Sequence, residues 1–157
     1  MPFPPSGSTR PRMSKAWSNG DYLVTTDPAR VDLDVVHGFL STSYWASGRS
    51  REQQARANEL STCFAVVHEP TGAQVGFGRV LTDDVSFAWV ADVFVLESHR
   101  ARGLAVFLMR CIVESYAHLP RLVLGNRDAH GVYAKVGFEP LSRTERWMER
   151  WNEPPNP

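Results

Sequence analysis

The chain has 157 residues, 43% of them apolar and 22% charged, and its 17 basic and 17 acidic side chains leave a formal net charge of zero. That length suits one domain with a real core, and the balanced charge excludes the broad basic face that electrostatic nucleic-acid binding requires. No apolar run reaches the roughly 18 residues of a membrane-spanning helix, and the opening MPFPPSGSTRPRMSKAW lacks the apolar stretch of a secretory leader, so a cytoplasmic protein that engages neither nucleic acid nor membrane is expected.

Residues 1–18 are rich in Pro, Ser and Arg and read as disordered, and Met13 is a second candidate start. Residues 22–26 form a short strand, and residues 31–45 carry helical spacing with Leu33, Val36, His37 and Leu40 on one side. Ser50 is placed to cap a second helix through Asn58, with Gln53 at the capping-box position. Strands over 62–68 and 74–81, joined by a turn at 69–72, make a hairpin. The stretch 87–96 is the most apolar strand, and its near-continuous apolar character predicts a central place with both faces covered. An apolar helix follows over 104–118, stopped by Pro120, then a strand at 121–125, a short helix at 128–136 and a last strand at 144–151, with room for one more near Phe138. The tail 152–157, with three prolines, reads as loose. This order predicts an α/β class, a mixed sheet with helices on both faces, in one domain over residues 19–151. Cys63 and Cys111 lie far apart in apolar surroundings and read as buried small hydrophobes, not as a disulfide.

The first chemical signal is the link from strand 87–96 into helix 104–118, which holds Arg100-x-x-Gly103-x-Ala105. The first turn of a helix leaves its N–H groups unpaired and carries partial positive charge, so it receives phosphate well. Gly103 and the small Ala105 let backbone approach the phosphate oxygens, and Arg100 and Arg102 add charge. The plain alternative is a solvated loop with two arginines. The segment is not a Walker A loop, since no Gly-Lys-Ser/Thr follows, and its glycine spacing does not fit a dinucleotide-binding fingerprint.

Here the chain resembles the GNAT family of N-acetyltransferases, whose pyrophosphate loop has the pattern Gln/Arg-x-x-Gly-x-Gly/Ala. A second family motif, Asn-x-x-Ala-x-x-x-Tyr-x-x-x-Gly-Phe, is matched by Asn126, Ala129, Tyr133, Gly137 and Phe138. The likeness spans residues 21–150, and Ser43-Tyr44-Trp45, Gly48-Arg49-Ser50 and the run 127–131 are similar to a bacterial subgroup of small acetyltransferases. Many members have glycine where this chain has Ala101 and Ala105.

The resemblance implies a mostly antiparallel sheet whose fourth and fifth strands, residues 87–96 and 121–125, splay apart to admit the pantetheine arm of acetyl-CoA. It implies cofactor contacts from backbone groups of Phe94 and Val95, from the loop Arg100, Ala101, Arg102, Gly103, Leu104 and Ala105, and from Asn126. It implies that Tyr133 acts as general acid toward the departing thiolate, its plain alternative being a packed helix tyrosine. It also implies that a small-molecule primary amine is the acceptor, by direct attack, with Tyr44, Trp45 and Arg49 in the acceptor wall. An aromatic residue there encloses a cation or simply packs, and Arg49 is suited to a substrate carboxylate.

A lysine-like amine is neutral in about one molecule in two thousand at pH 7, so transfer needs a base, a desolvating pocket or both. Asp92, the only acid in strand 87–96, is the candidate base or ammonium-binding group, with a buried structural ion pair as the alternative. Polyamine acetyltransferases carry an acidic pair at this place, whereas here it is reduced to Ala91-Asp92. Asp128 is placed to cap the helix that carries Tyr133. His37, His68, His99, His118 and His130 show no metal-ligand spacing with the cysteines, so no metal is expected. Two other readings stay open: a non-catalytic acyl-CoA-binding sensor, and a transferase acting on a protein or peptide amine. Exposed sheet edges leave room for a homodimer.

Overall fold

The computed structural model describes residues 13–153. Strand β1 (Ala16–Asn19) turns back through Gly20, at φ +57°, into β2 (Tyr22–Thr25). The first corner of such a tight hairpin calls for a left-handed residue, which glycine adopts without steric cost. The segment expected to be disordered through residue 18 is therefore ordered from Ala16, which pairs with Thr25 in an antiparallel ladder. The rest of that expectation, residues 1–12, and most of the expected loose tail, residues 154–157, lie outside the described residues.

Helix α1 (Leu33–Leu40) starts where the Asp32 carboxylate accepts the N–H groups of Asp34 and Val35. It stops sooner than the apolar spacing predicts, because three consecutive hydroxyls compete for its last carbonyls: Ser41 donates to Gly38, Thr42 to Phe39 and Ser43 to Leu40. The chain then runs through turns that carry Tyr44 and Trp45 to α2 (Arg51–Glu59). Both bonds of the expected capping box, Ser50 with Gln53, are present at its start.

Strands β3 (Thr62–His68), β4 (Ala73–Thr82) and β5 (Ala88–Val95) follow, then α3 (Leu104–Ser115), β6 (Leu122–Leu124) and the five-residue α4 (His130–Ala134). The sheet order is β1-β2-β3-β4-β5-β6, antiparallel throughout except for the parallel pair β5–β6. The two strands expected to splay are thus β5 and β6 here, since β1 adds a strand in front. Two apolar clusters lie on opposite faces. One joins Phe64, Val66, Val80 and Val90 to Leu108, Met109 and Ile112 of α3, and the other joins Phe77 and Phe94 to Val36 and Leu40 of α1. Cys63 and Cys111 are buried thiols in these clusters, and burial pushes both up to about 12, which leaves them unreactive at neutral pH.

The expected last strand at 144–151 does not form. Thr144–Arg146 is a single 3₁₀ turn and every residue from Arg143 to Trp151 is exposed, so no buried face holds a ladder in register. Trp147 is tied back to the sheet by the Arg121 guanidinium, 4.8 Å above its ring. No strand forms near Phe138, which instead packs edge-on against Tyr133 with ring centroids 6.1 Å apart. No helix among the described residues is long and apolar enough to cross a membrane.

Replacing Ser50 with Ala removes one half of the capping box and should lower stability by about 1 kcal/mol, read as a shift in the urea midpoint with an unchanged slope. A loss below a few tenths of a kcal/mol would show that α2 is held by its tertiary contacts alone.

Candidate active site

Strand β5 changes character halfway along. Its parallel pairing with β6 runs only from Ala88↔Leu122 to Val90↔Leu124, and beyond Val90 the two strands part. On the other side its pairing with β4 slips: Arg79 faces Ala91 and Phe77 faces Phe94, so Gly78 alone opposes both Asp92 and Val93. This is a β-bulge, and its extra residue Asp92 sits at φ +56°. The bulge reverses the alternation of the strand. Ala88 and Val90 before it, and Val93 and Val95 after it, all face the α3 cluster. Strict alternation would have sent the Asp92 carboxylate into that core. The bulge turns it instead toward the α1–α2 link.

There the carboxylate is fully engaged. Its Oδ1 accepts the Trp45 indole N–H at 3.1 Å, and its Oδ2 accepts Nη1 of Arg49 at 2.7 Å and Nε of Arg79 at 2.6 Å. Asp92 is only 5% exposed. Burial alone would raise its carboxyl, but the hydrogen bond and charge of Arg79, followed by those of Arg49, outweigh burial and hold it below the ordinary carboxylate range. Arg49 also donates from Nη1 to the buried Gln54 at 2.7 Å, and Arg79 donates from Nη1 to Ser61 Oγ at 3.1 Å. Arg79 and Gln54 escape a reading of the sequence. The available signal for Arg79 was a charge inside the apolar run of β4, which demands a buried partner. The only apolar residues of helix α2 are Ala55 and Ala57, which trace no apolar stripe to mark its inward face, so nothing pointed to Gln54.

The parting of β5 and β6 opens a cleft of about 590 Å³, lined by Tyr44, Trp45, Arg49, Asp92, Arg100, Asn126 and Tyr133 among the expected site residues. Tyr133 is 9% exposed, and among the described residues its hydroxyl makes no hydrogen bond and no buried side-chain nitrogen or oxygen lacks a partner. The hydroxyl therefore keeps its solvent access on the cleft that the residue lines. Burial first, and then the neighbouring Tyr44, raises the Tyr133 phenol above its usual value, so it stays protonated at neutral pH.

The Asn126 side chain accepts the Ala129 N–H at 2.7 Å and holds the turn into α4, whose N-terminus has no side-chain cap, so the cap expected from Asp128 does not form. Asp128 instead pairs with Nε of Arg127 at 3.0 Å. Arg127 lies 4.0 Å above the Tyr44 ring, and its backbone N–H donates to the Tyr44 hydroxyl. This contact ties the α1–α2 link to the segment after β6 across the cleft.

One end of the cleft leads to the loop before α3. Gly103, at φ +74°, is the N-cap of α3, and no side chain caps that terminus. Ala101 is also left-handed, at φ +60°, where many relatives implied by the sequence pattern have glycine. The N–H groups of the first turn of α3 are left without side-chain partners, which is what makes a helix start able to receive an anion. Residues 100–103 are on the surface, while Leu104 is buried in the α3 cluster and anchors the helix. Arg100 reaches back to hold the Val95 carbonyl through Nε at 3.1 Å, and Tyr22 bonds His99 at 2.8 Å, which fixes the loop against the sheet. Phe94 and Val95 send their side chains into the two apolar clusters, so neither offers a side chain to a ligand. Among the described residues no group of His, Cys, Asp or Glu is placed to hold a metal ion.

Comparison with known proteins agrees with this geometry. The model of the acetyltransferase (GNAT) family matches residues 32–138. A curated protein of Gibberella zeae named as a putative acetyltransferase is 28% identical over 140 residues, which cover 76% of this chain and 79% of that protein. The crystal structure of a GNAT-family protein of Xanthomonas campestris pv. campestris is 36% identical, superposes with a TM-score of 0.79, and is matched over 86% of this chain and 94% of that one. A Deinococcus radiodurans structure at 21% identity and TM-score 0.66, covering 83% of this chain and 89% of that one, shares the fold.

Replacing Asp92 with Asn removes the one negative charge between two largely buried guanidinium groups and should destabilise the fold by about 3–5 kcal/mol. Since the folded carboxyl lies below its unfolded value of about 3.9, its contribution is complete above that pH and is lost as pH falls through the folded value. Urea unfolding of wild type and Asp92→Asn should therefore differ strongly at pH 7 and converge as the solution is acidified below about pH 4. A constant difference across that range would show that Asp92 is not the titrating group.

Proposed function

Because the chain belongs to the GNAT acetyltransferase family, we propose that it moves an acetyl group from acetyl-CoA to a primary amine of a small molecule by direct attack in the β5–β6 cleft. The observation that carries this reading is the continuity of three features. An uncapped helix N-terminus with two left-handed residues opens toward a strand edge freed from pairing, and that edge runs past a protonated, unbonded tyrosine hydroxyl.

The chemistry assigned to each group follows from its placement. The N–H groups at the start of α3, with Arg102 beside them, suit the pyrophosphate of the cosubstrate. The outer edge of β5 beyond Val90 has backbone donors and acceptors that β6 does not satisfy, so an extended amide-bearing arm can pair there as a strand would. A backbone N–H on that edge, aimed at the thioester oxygen, stabilises the charge that develops on it. The thioester supplies an activated acyl group. The amine nitrogen forms the new bond to the acyl carbon as the carbon–sulfur bond breaks, and Tyr133 gives its proton to the leaving sulfur. Asn126 contributes by fixing the turn that delivers α4 and Tyr133 to the cleft.

Asp92 has a different place in this scheme. Two arginines and an indole occupy its oxygens and favour its charged form, which makes it a weak proton acceptor. We assign it to positioning Trp45 and Arg49, and leave the amine to lose its proton to solvent before or during attack.

Calorimetric titration with acetyl-CoA tests the reading. Wild type and Tyr133→Phe should bind it alike, within about threefold, whereas Gly103→Glu, which forces a side chain and a negative charge onto a left-handed residue, should lose binding. In a thiol-release assay with an amine panel, Tyr133→Phe should lose about 10²–10⁴ in kcat. The alkaline limb of the wild-type pH profile should lie above the ordinary tyrosine value of about 10. Failure of folded wild type to bind acetyl-CoA would overturn the proposal, and binding with no turnover on any amine would favour an acyl-CoA sensor.

A further inference from the structure

Resting on the acetyltransfer reading, we infer that the acceptor amine carries an oxyanion group, a carboxylate or a phosphate, received by the Arg49–Arg79 side of the cleft. The cleft is lined by four arginines, Arg49, Arg79, Arg100 and Arg127, against two carboxylates, Asp92 and Asp128. Asp128 is matched by Arg127 at the rim, and Arg100 lies at the phosphate-loop end. That leaves two guanidinium groups around the single carboxylate of Asp92, an excess of one positive charge on the acceptor side.

The hydrogen-bond inventory points the same way. Each guanidinium has five N–H donors in a fixed plane. Arg49 directs both its bonds from Nη1, to Gln54 and to Asp92, which leaves its Nε and Nη2 donors without an acceptor among the described residues. Arg79 uses Nε and Nη1 and leaves Nη2. None of these atoms is a buried unpaired donor, so each keeps contact with solvent, and both residues line the cleft. The Nε–Nη2 edge of Arg49 is the fork that receives two oxygens of one carboxylate or phosphate in parallel. Asp92 and Gln54 hold that fork in place before anything binds, so little side-chain freedom remains to be lost on binding.

The same arrangement disfavours a cationic acceptor. A second ammonium, as in a polyamine, would approach a carboxylate already matched twice and would meet Arg49 and Arg79 behind the aromatic walls of Trp45 and Trp89. Like charges brought together in such a partly desolvated place repel more than they do in water.

Product-side binding separates this inference from the acetyltransfer reading because it needs no turnover. Protein saturated with CoA is titrated with two matched pairs, N-acetylphenylalanine against N-acetylphenylalaninamide and N-acetyl-O-phosphoserinamide against N-acetylserinamide, with N-acetylputrescine as the cationic control. The anionic member of at least one pair should bind ten-fold or more tightly than its neutral partner, and which pair responds tells carboxylate from phosphate. Arg49→Met should abolish that preference and Arg49→Lys should keep part of it. Neutral or cationic compounds binding as tightly as the anionic ones, no binding by either anion, or a preference unchanged in Arg49→Met would each overturn the inference. If the protein fails to take up CoA in the first stage, the acetyltransfer reading falls as well, whereas CoA binding with no anion preference removes this inference alone.

Discussion

Three donors from separate places in the chain meet on the two oxygens of Asp92: Trp45 and Arg49 from the link between α1 and α2, and Arg79 from β4. A buried ion pair of this kind adds little net stability relative to apolar packing, because desolvation of the charges consumes most of the Coulombic gain. What it supplies is direction. Hydrogen bonds with narrow angular preference hold the indole and the guanidinium at fixed positions over the sheet, which packing of apolar groups would not do alone. The α1–α2 link contains no regular helix between Leu40 and Arg51, so this polar network, together with the Tyr44–Arg127 contact, is what sets the cleft wall.

Two residues without a glycine's freedom adopt left-handed backbone beside the cleft, Asp92 at φ +56° and Ala101 at φ +60°. Each such residue costs about 1–2 kcal/mol for an alanine-like side chain and less for aspartate. The surrounding structure over-determines both. At Asp92 the ladder resumes on either side of the bulge and three donors claim the carboxylate. At Ala101 the loop is pinned before it by Arg100 on the Val95 carbonyl and after it by the buried Leu104. Strain of this kind persists only where the surroundings hold it in place.

Much of the fold was legible because its signals were local. The capping box at Ser50 and the apolar strand followed at once by a Gly103-led helix needed only neighbouring residues to be read. So did the motif that runs from Asn126 to Phe138. The misreadings came where tertiary structure or side-chain competition decided the outcome. Apolar spacing carried the first helix to Trp45, but Ser41, Thr42 and Ser43 took its carbonyls. The tail at 144–151 had strand-forming residues but found no face to bury. A bulge leaves almost no trace in a strand as apolar as 87–96, so the side on which Asp92 emerges could not be derived. Its partner Arg79 showed only as a charge inside the apolar run of β4, and Gln54, which holds Arg49, sits on a helix without an apolar stripe.

The cleft itself arises from a mismatch in strand length. Strand β5 has eight residues and β6 has three, so parallel pairing ends at Val90 while β5 continues to Val95. Two devices keep the strands from re-pairing. The bulge at Asp92 bends β5 away just after the last shared pair, and Asn126 captures Ala129 N–H and turns the chain after β6 into α4. Together they hold an unpaired edge open inside an otherwise complete sheet, with Tyr133 carried to the cleft by the second and Arg49 held by Asp92 at the first. The position of both chemical groups is therefore a consequence of how the sheet is interrupted.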